Sequence, residues 1–110
     1  MSAARLKAGI LVQAILRLYD QATIPAYQRR RGDPDSGAVL VKIALGIGQG
    51  ALLLSQTRDA DGNPAWLKTG PLPDPEIELQ IDRNLKFDPD LWVIEAEDAR
   101  GRFPLDEKIL

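Results

Sequence analysis

The chain has 110 residues, 45% of them apolar and 27% charged, which is the size and composition of one folded domain with one core. It contains no cysteine and no histidine. That excludes disulfides, thiol nucleophiles, cysteine or histidine metal sites and every histidine-based catalytic dyad within the chain. Net charge is only −2, but residues 1–58 sum to +5 and residues 59–110 to −7, so the two halves should attract each other inside one fold or, alternatively, present a polar surface that recruits a partner or a second copy.

Arg5 and Lys7 precede the apolar stretch Ala8–Leu16, which loosely imitates a secretion signal. Gln13 interrupts that stretch, Arg17 and Asp20 follow it, and no small-x-small cleavage site closes it. The spacing instead predicts a core helix over Leu6–Gln21. Leu11, Ala14, Ile15, Leu18, Tyr19 and Ala22 form one face, widened by Ile10, Val12 and Leu16. Ile24-Pro25 ends it, because the residue before proline disfavours helical backbone. The longest uncharged run, Ile43–Thr57, is too short and too rich in glycine to span a membrane. A soluble, cytoplasmic protein is therefore expected.

A short strand, Ala26–Arg31, comes next, with Arg29 and Arg31 on one face and Arg30 on the other. Gly32–Gly37 reads as a tight turn set by Pro34, with Asp33 and Ser36 available to bond local backbone. The nearly continuous apolar run of Ala38–Leu45 predicts a central strand covered on both faces. Gly46-x-Gly48-x-Gly50 turns the chain into Ala51–Thr57. Asp61-Gly62 then turns it into the short strand Ala65–Thr69.

After the break at Gly70–Pro73, Asp74 reads as an N-cap, with Pro75 at the first helical position and Glu76 and Glu78 in the first turn. Ile77, Ile81 and Leu85 give the helix Pro75–Phe87 a narrow apolar stripe, and Asp88-Pro89 stops it. Leu91–Glu97 is a last strand, Asp98–Arg102 a turn and Phe103–Leu110 a tail without a clear element. The fold class expected is α+β: an antiparallel sheet of about four to five strands, an N-terminal helix and a second helix before the last strand.

Several patterns invite a chemical reading. The glycine triplet lacks the lysine of a phosphate-binding loop and opens no helix, so it reads as a hairpin turn. Arg29, Arg30 and Arg31 form the only dense positive cluster, but a strand divides them between two faces and the chain is acidic overall, which opposes nucleic acid. Pairing of these arginines with Glu95 and Glu97 is the plainer expectation. Glu95, Glu97 and Asp98 could ligate a hard cation together with Asp33 or Asp35, although their spacing matches no calcium loop. Trp66 and Trp92 are the only tryptophans and suit a core or an interface.

Two stretches, Arg30-Arg31-Gly32-Asp33-Pro34-Asp35-Ser36-Gly37-Ala38-Val39 and Phe87-Asp88-Pro89-Asp90-Leu91-Trp92-Val93-Ile94-Glu95, resemble the two motifs of the domain of unknown function 1491 family of short bacterial proteins. The resemblance extends over most of the chain. It implies a bacterial cytoplasmic setting and assigns neither an activity nor a catalytic residue.

Together these features suggest a non-catalytic interaction or self-association module with a protein partner or a second copy. No catalytic residue, metal ligand or cofactor is assigned. A carboxylate-based, metal-assisted enzyme is the first alternative, and an anion or nucleic-acid binder using Arg29–Arg31 the second. Both motif stretches contain rigid turns rich in Asp, Pro and Gly. Two readings follow: the loops are merely stable connectors, or they approach each other at one end of the sheet, with Arg30 or Arg31 pairing to Asp33, Asp88 or Asp90. The candidate binding residues are Arg30, Arg31, Asp33, Asp35, Asp88, Asp90 and Trp92.

Overall fold

The computed structural model describes residues 6–110. Arg5, counted with Lys7 ahead of the first apolar stretch, lies outside the described residues. The elements run α1 (Ala8–Gln21), β1 (Ala26–Arg30), β2 (Val39–Ala44), β3 (Ala51–Arg58), β4 (Pro64–Leu72), α2 (Asp74–Phe87), β5 (Trp92–Glu97) and β6 (Lys108–Ile109). They form one sheet in the order β1-β5-β2-β3-β4-β6.

The sheet has six strands and is mixed, which corrects the expected antiparallel sheet of four to five. The antiparallel run β2-β3-β4 is as the turns foretold. Beyond β4 the path departs from that expectation. Helix α2 carries the chain back across the sheet, and β5 enters between β1 and β2, parallel to β2 and antiparallel to β1. A crossover helix permits such a return where a short turn would not. The second helix thus precedes the last two strands.

Alternation along the strands gives the sheet two buried faces. Val39, Val41, Ile43, Leu52, Leu54, Trp66, Trp92, Ile94 and Ala96 pack beneath Ala8, Leu11, Val12, Ile15 and Tyr19 of α1. The opposite face sets Leu40, Leu53, Leu91 and Val93 against Ile77 and Ile81 of α2. The molecule is therefore a helix–sheet–helix sandwich. β2, third in the order, is buried along both faces, as its unbroken apolar run required. α1 is a core helix, though Ile10 faces water and Ala22 lies beyond its end.

Two local expectations are also corrected. Pro73, not Asp74, occupies the N-cap position of α2 and no side chain caps the helix. The Asp74 carboxylate goes to Lys42 instead, at 2.6 Å, because a buried ammonium needs a counter-ion more than an exposed helix end needs a cap. The C-terminal tail is ordered. Phe103 packs on the Trp66 ring with centroids 4.8 Å apart, Trp66 Nε1 donates to Glu107 at 2.8 Å, and β6 pairs parallel to β4.

Candidate functional site

The two motif stretches meet where β2 and β5 begin. Within the first loop, the Asp33 carboxylate accepts the Ser36 N–H at 2.8 Å, the Ser36 hydroxyl at 2.8 Å and the Asp35 N–H at 3.1 Å. These bonds, the Ser36 N–H above all, hold the Asp33 carboxyl below its ordinary range. In the second loop, the Asp88 carboxylate accepts the Asp90 N–H at 3.0 Å. The loops are then joined to each other. Asp33 N–H donates to the Asp90 carbonyl at 3.0 Å, and Trp92 Nε1–H donates to the Asp33 carbonyl at 2.7 Å. Gly32 and Gly37 let the backbones approach so closely, since a Cβ on either would overlap the Asp90 carbonyl oxygen.

Arg30 and Arg31 take other partners than Asp33, Asp88 or Asp90. Arg30 donates to the Leu91 carbonyl at 2.6 Å, and the Arg31 guanidinium lies 5.9 Å from the centre of the Trp92 ring. Among the described residues no ion pair joins Arg30 or Arg31 to Asp33, Asp88 or Asp90. Asp35 pairs only loosely, 3.7 Å from exposed Lys7, and Asp90 is exposed. Trp92 is 4% exposed and belongs to the core. The aromatic that does reach solvent here is Phe87, 91% exposed at the last position of α2. Sequence reasoning passed over it. Its signal was that it falls off the Ile77–Ile81–Leu85 stripe.

Under α2 lies a cluster of charges. Lys42, 4% exposed, reaches Asp74 and Glu78 at 2.6 Å each and Glu95 at 3.8 Å. Arg29 forks onto Glu78 with two bonds of 2.8 Å and touches Glu95 at 3.1 Å. The expected pairing with Glu95 is thus present, while Glu97 has no ion-pair partner among the described residues. Burial alone would lower the Lys42 pKa, but its bonds to Asp74 and Glu78 leave it raised. Glu78 is drawn down from 4.5 to about 2, by Arg29 first and Lys42 next. This cluster joins the basic first half of the chain to the acidic second half.

At the far end of the sheet β2, β4 and β5 finish together and α2 begins. There a cavity of about 810 Å³ opens between the hairpin Gly46–Gly50 and the segment Pro71–Asp74, with Ala44 and Glu97 completing its lining. Ile47, at the hairpin tip, is 104% exposed. Nearby, Asp98 is drawn from 3.8 to about 2, by its bond to the Arg102 side chain first and against the effect of burial, with backbone N–H bonds assisting. Burial, with Asp98 adding to it, pushes the Tyr19 phenol up, and its hydroxyl donates to the Arg102 carbonyl at 2.8 Å. The register that sets Val39 beside Trp92 and Ala44 beside Glu97 puts Asp33 and Asp35 at the opposite end from Glu97 and Asp98. The considered cation set is therefore not brought together. Among the described residues no three carboxylates gather in a metal-holding arrangement, and no helix is long and apolar enough to cross a membrane.

Solved structures share the fold. The crystal structure of a DUF1491 family protein from Caulobacter crescentus CB15 is 33% identical, with a TM-score of 0.87 over 96% of this chain and 100% of that one. The NMR structure of a DUF1491 family protein from the same organism is 32% identical, with a TM-score of 0.84 over 98% and 99%. Protein Atu0922 from A. tumefaciens shares the fold at 22% identity, with a TM-score of 0.76 over 96% of this chain and 98% of its own. No curated protein matches. The family model described as "Protein of unknown function (DUF1491)" matches residues 6–106, nearly the whole chain, and the protein belongs to that family.

Proposed function

We propose that this protein is a non-catalytic interaction module of the bacterial cytoplasm, binding a protein partner at the end of the sheet where Gly32–Gly37 meets Asp88–Asp90. The observation that carries the reading is Phe87, an aromatic ring 91% exposed on a base of mutually bonded loops. Exposed aromatics on pre-ordered backbone make strong contact points, because the ring loses water on docking and little chain entropy is lost. Exposed Arg31, Asp35 and Asp90 belong to the two motif stretches and supply polar groups at this end of the sheet. The arginine triplet supports this reading over the anion binder. Arg29 is held by Glu78 and Glu95, and Arg30 by the Leu91 carbonyl, so the three present no common basic face.

Affinity capture from the native cell, followed by mass spectrometry, tests it with wild type, Phe87→Ser and Arg31→Ala in parallel. The expected result is a partner retained by wild type and lost by Phe87→Ser, with unfolding stability unchanged to within about 0.5 kcal/mol, as for a surface change. Arg31→Ala should weaken capture in the same way. Identical captured sets for all three proteins would refute the surface. Sedimentation run alongside identifies a second copy as the partner if wild type is dimeric and Phe87→Ser is not.

A further inference from the structure

The cavity at the opposite end of the sheet has a chemistry of its own. Ala44, Pro71, Leu72 and Pro73 give it an apolar body, and Ile47 stands fully exposed at its hairpin rim. Among the described residues, Asp74 and Glu97 are the only charged ones in its lining. Asp74 belongs to the cluster beneath α2, in which Lys42 and Arg29 face three carboxylates, Asp74, Glu78 and Glu95. That cluster is left with one uncompensated negative charge, and Glu97, unpaired among the described residues, adds a second. The start of a helix ordinarily favours an anion. Here Pro73 and Pro75 remove two backbone N–H donors from that start, while Asp74 and Glu76 place carboxylates in the first turn. An anion would meet repulsion and few donors, whereas a cation would meet carboxylates.

We propose that this cavity is a binding site for a small organic cation with an apolar body, an alkyl- or arylalkyl-ammonium. Its volume of about 810 Å³ lies within the range of about 300–1,000 Å³ that accommodates small organic ligands, and far exceeds what one lysine side chain would fill. The apolar part lies against Leu72, Ala44 and the prolines, and the ammonium is held by Glu97 with Asp74 behind it. Ile47 covers the apolar part from the hairpin. Gly46, Gly48 and Gly50 all have positive φ, and no other group lies within 4 Å of where a Cβ on Gly46 or Gly48 would stand, so the hairpin tip has room to adjust.

The test is NMR titration of the full chain with three probes of equal length: hexylammonium, hexanol and hexanoate. Hexylammonium should shift the backbone amides of Ala44, Ile47, Gly48, Gly50 and Leu72 in a saturable way, hexanol more weakly, and hexanoate not at all. Glu97→Gln should weaken hexylammonium about tenfold, the loss expected for one charge-assisted contact. The variant should leave the spectrum elsewhere unchanged, because the Glu97 side chain is exposed and holds no ion pair among the described residues. Ile47→Ser should weaken hexylammonium and hexanol alike. Equal shifts from hexanoate, shifts outside the cavity lining, or no shifts from any probe would overturn the site. An unchanged affinity in Glu97→Gln would overturn the assignment of the ammonium to that carboxylate.

Discussion

Trp92→Ala should cost this protein a large share of its stability, and the structure says how much. The side chain is 4% exposed and packs in the core beneath α1, so its truncation costs about 3–5 kcal/mol in lost burial and cavity formation. Its Nε1–H also donates to the Asp33 carbonyl, a bond worth about 1 kcal/mol. That carbonyl keeps a second, longer bond from the Gly37 N–H at 3.3 Å, so the orphaning penalty falls at the low end. The sum, about 4–6 kcal/mol, compares with a total of about 5–15 kcal/mol for a domain. It corresponds to a melting point lower by roughly 15–25 °C. Urea unfolding followed by far-ultraviolet circular dichroism measures the difference, and Trp66 remains as a fluorescence probe. Trp92→Phe separates the two contributions, since it keeps a ring and loses the donor, and should cost about 1–2 kcal/mol. A loss below about 1.5 kcal/mol for Trp92→Ala would refute the assignment of Trp92 as the core staple between the loops. It would make Trp92 a candidate partner-binding side chain once more.

Gly32→Ala should be among the most damaging single-methyl changes in the chain, because its Cβ would overlap the Asp90 carbonyl, a backbone atom that cannot rotate away. Proteolysis rates would show it: the loop pair should open and Asp88–Leu91 become cleavable, and wild-type resistance would contradict the close approach. Stability should also fall in acid. Glu78 has a folded pKa of about 2 against an ordinary 4.5, and Asp98 about 2 against 3.8. A lowered folded pKa contributes stability that is present above the ordinary value and lost as pH falls from about 4.5 towards 2. The urea midpoint measured across that window should drop for wild type and drop less for Glu78→Gln. Equal slopes would show that the cluster under α2 is not what acid dissolves. Solvent screening keeps the effect well below the full linkage value, since the Glu78 side chain is 32% exposed.

How far the chain discloses its own site depends on the range of the forces involved. The Asp-Pro loops were legible because aspartate, proline and glycine act on backbone within two or three residues, as the Asp33–Ser36 and Asp88–Asp90 bonds illustrate. That the loops meet was one of two readings the motifs left open, the other being independent connectors. Their bonding was not inferable, and Arg30 and Arg31 went to a carbonyl and a ring instead of to aspartates. Phe87 and the cavity lining were in plain view as an off-stripe aromatic and a glycine hairpin, but exposure and concavity are properties of the assembled surface.

Local chemistry along the chain was enough to specify the two helices, the buried central strand, the antiparallel run from β2 to β4 and the attraction between a basic and an acidic half. Each of these rests on periodicity, turn chemistry or composition, which need no knowledge of distant neighbours. Long-range packing settled the rest: β5 returns parallel to β2, Lys42 is buried beneath α2, and the tail docks on Trp66 as a sixth strand. Those outcomes depend on which distant surfaces can bury together with their polar groups paired. Lys42 shows why. It interrupts an otherwise apolar strand, and nothing near it in the chain explains how its charge is tolerated. Its partners Asp74, Glu78 and Glu95 stand more than thirty positions away and reach it only once α2 has crossed the sheet.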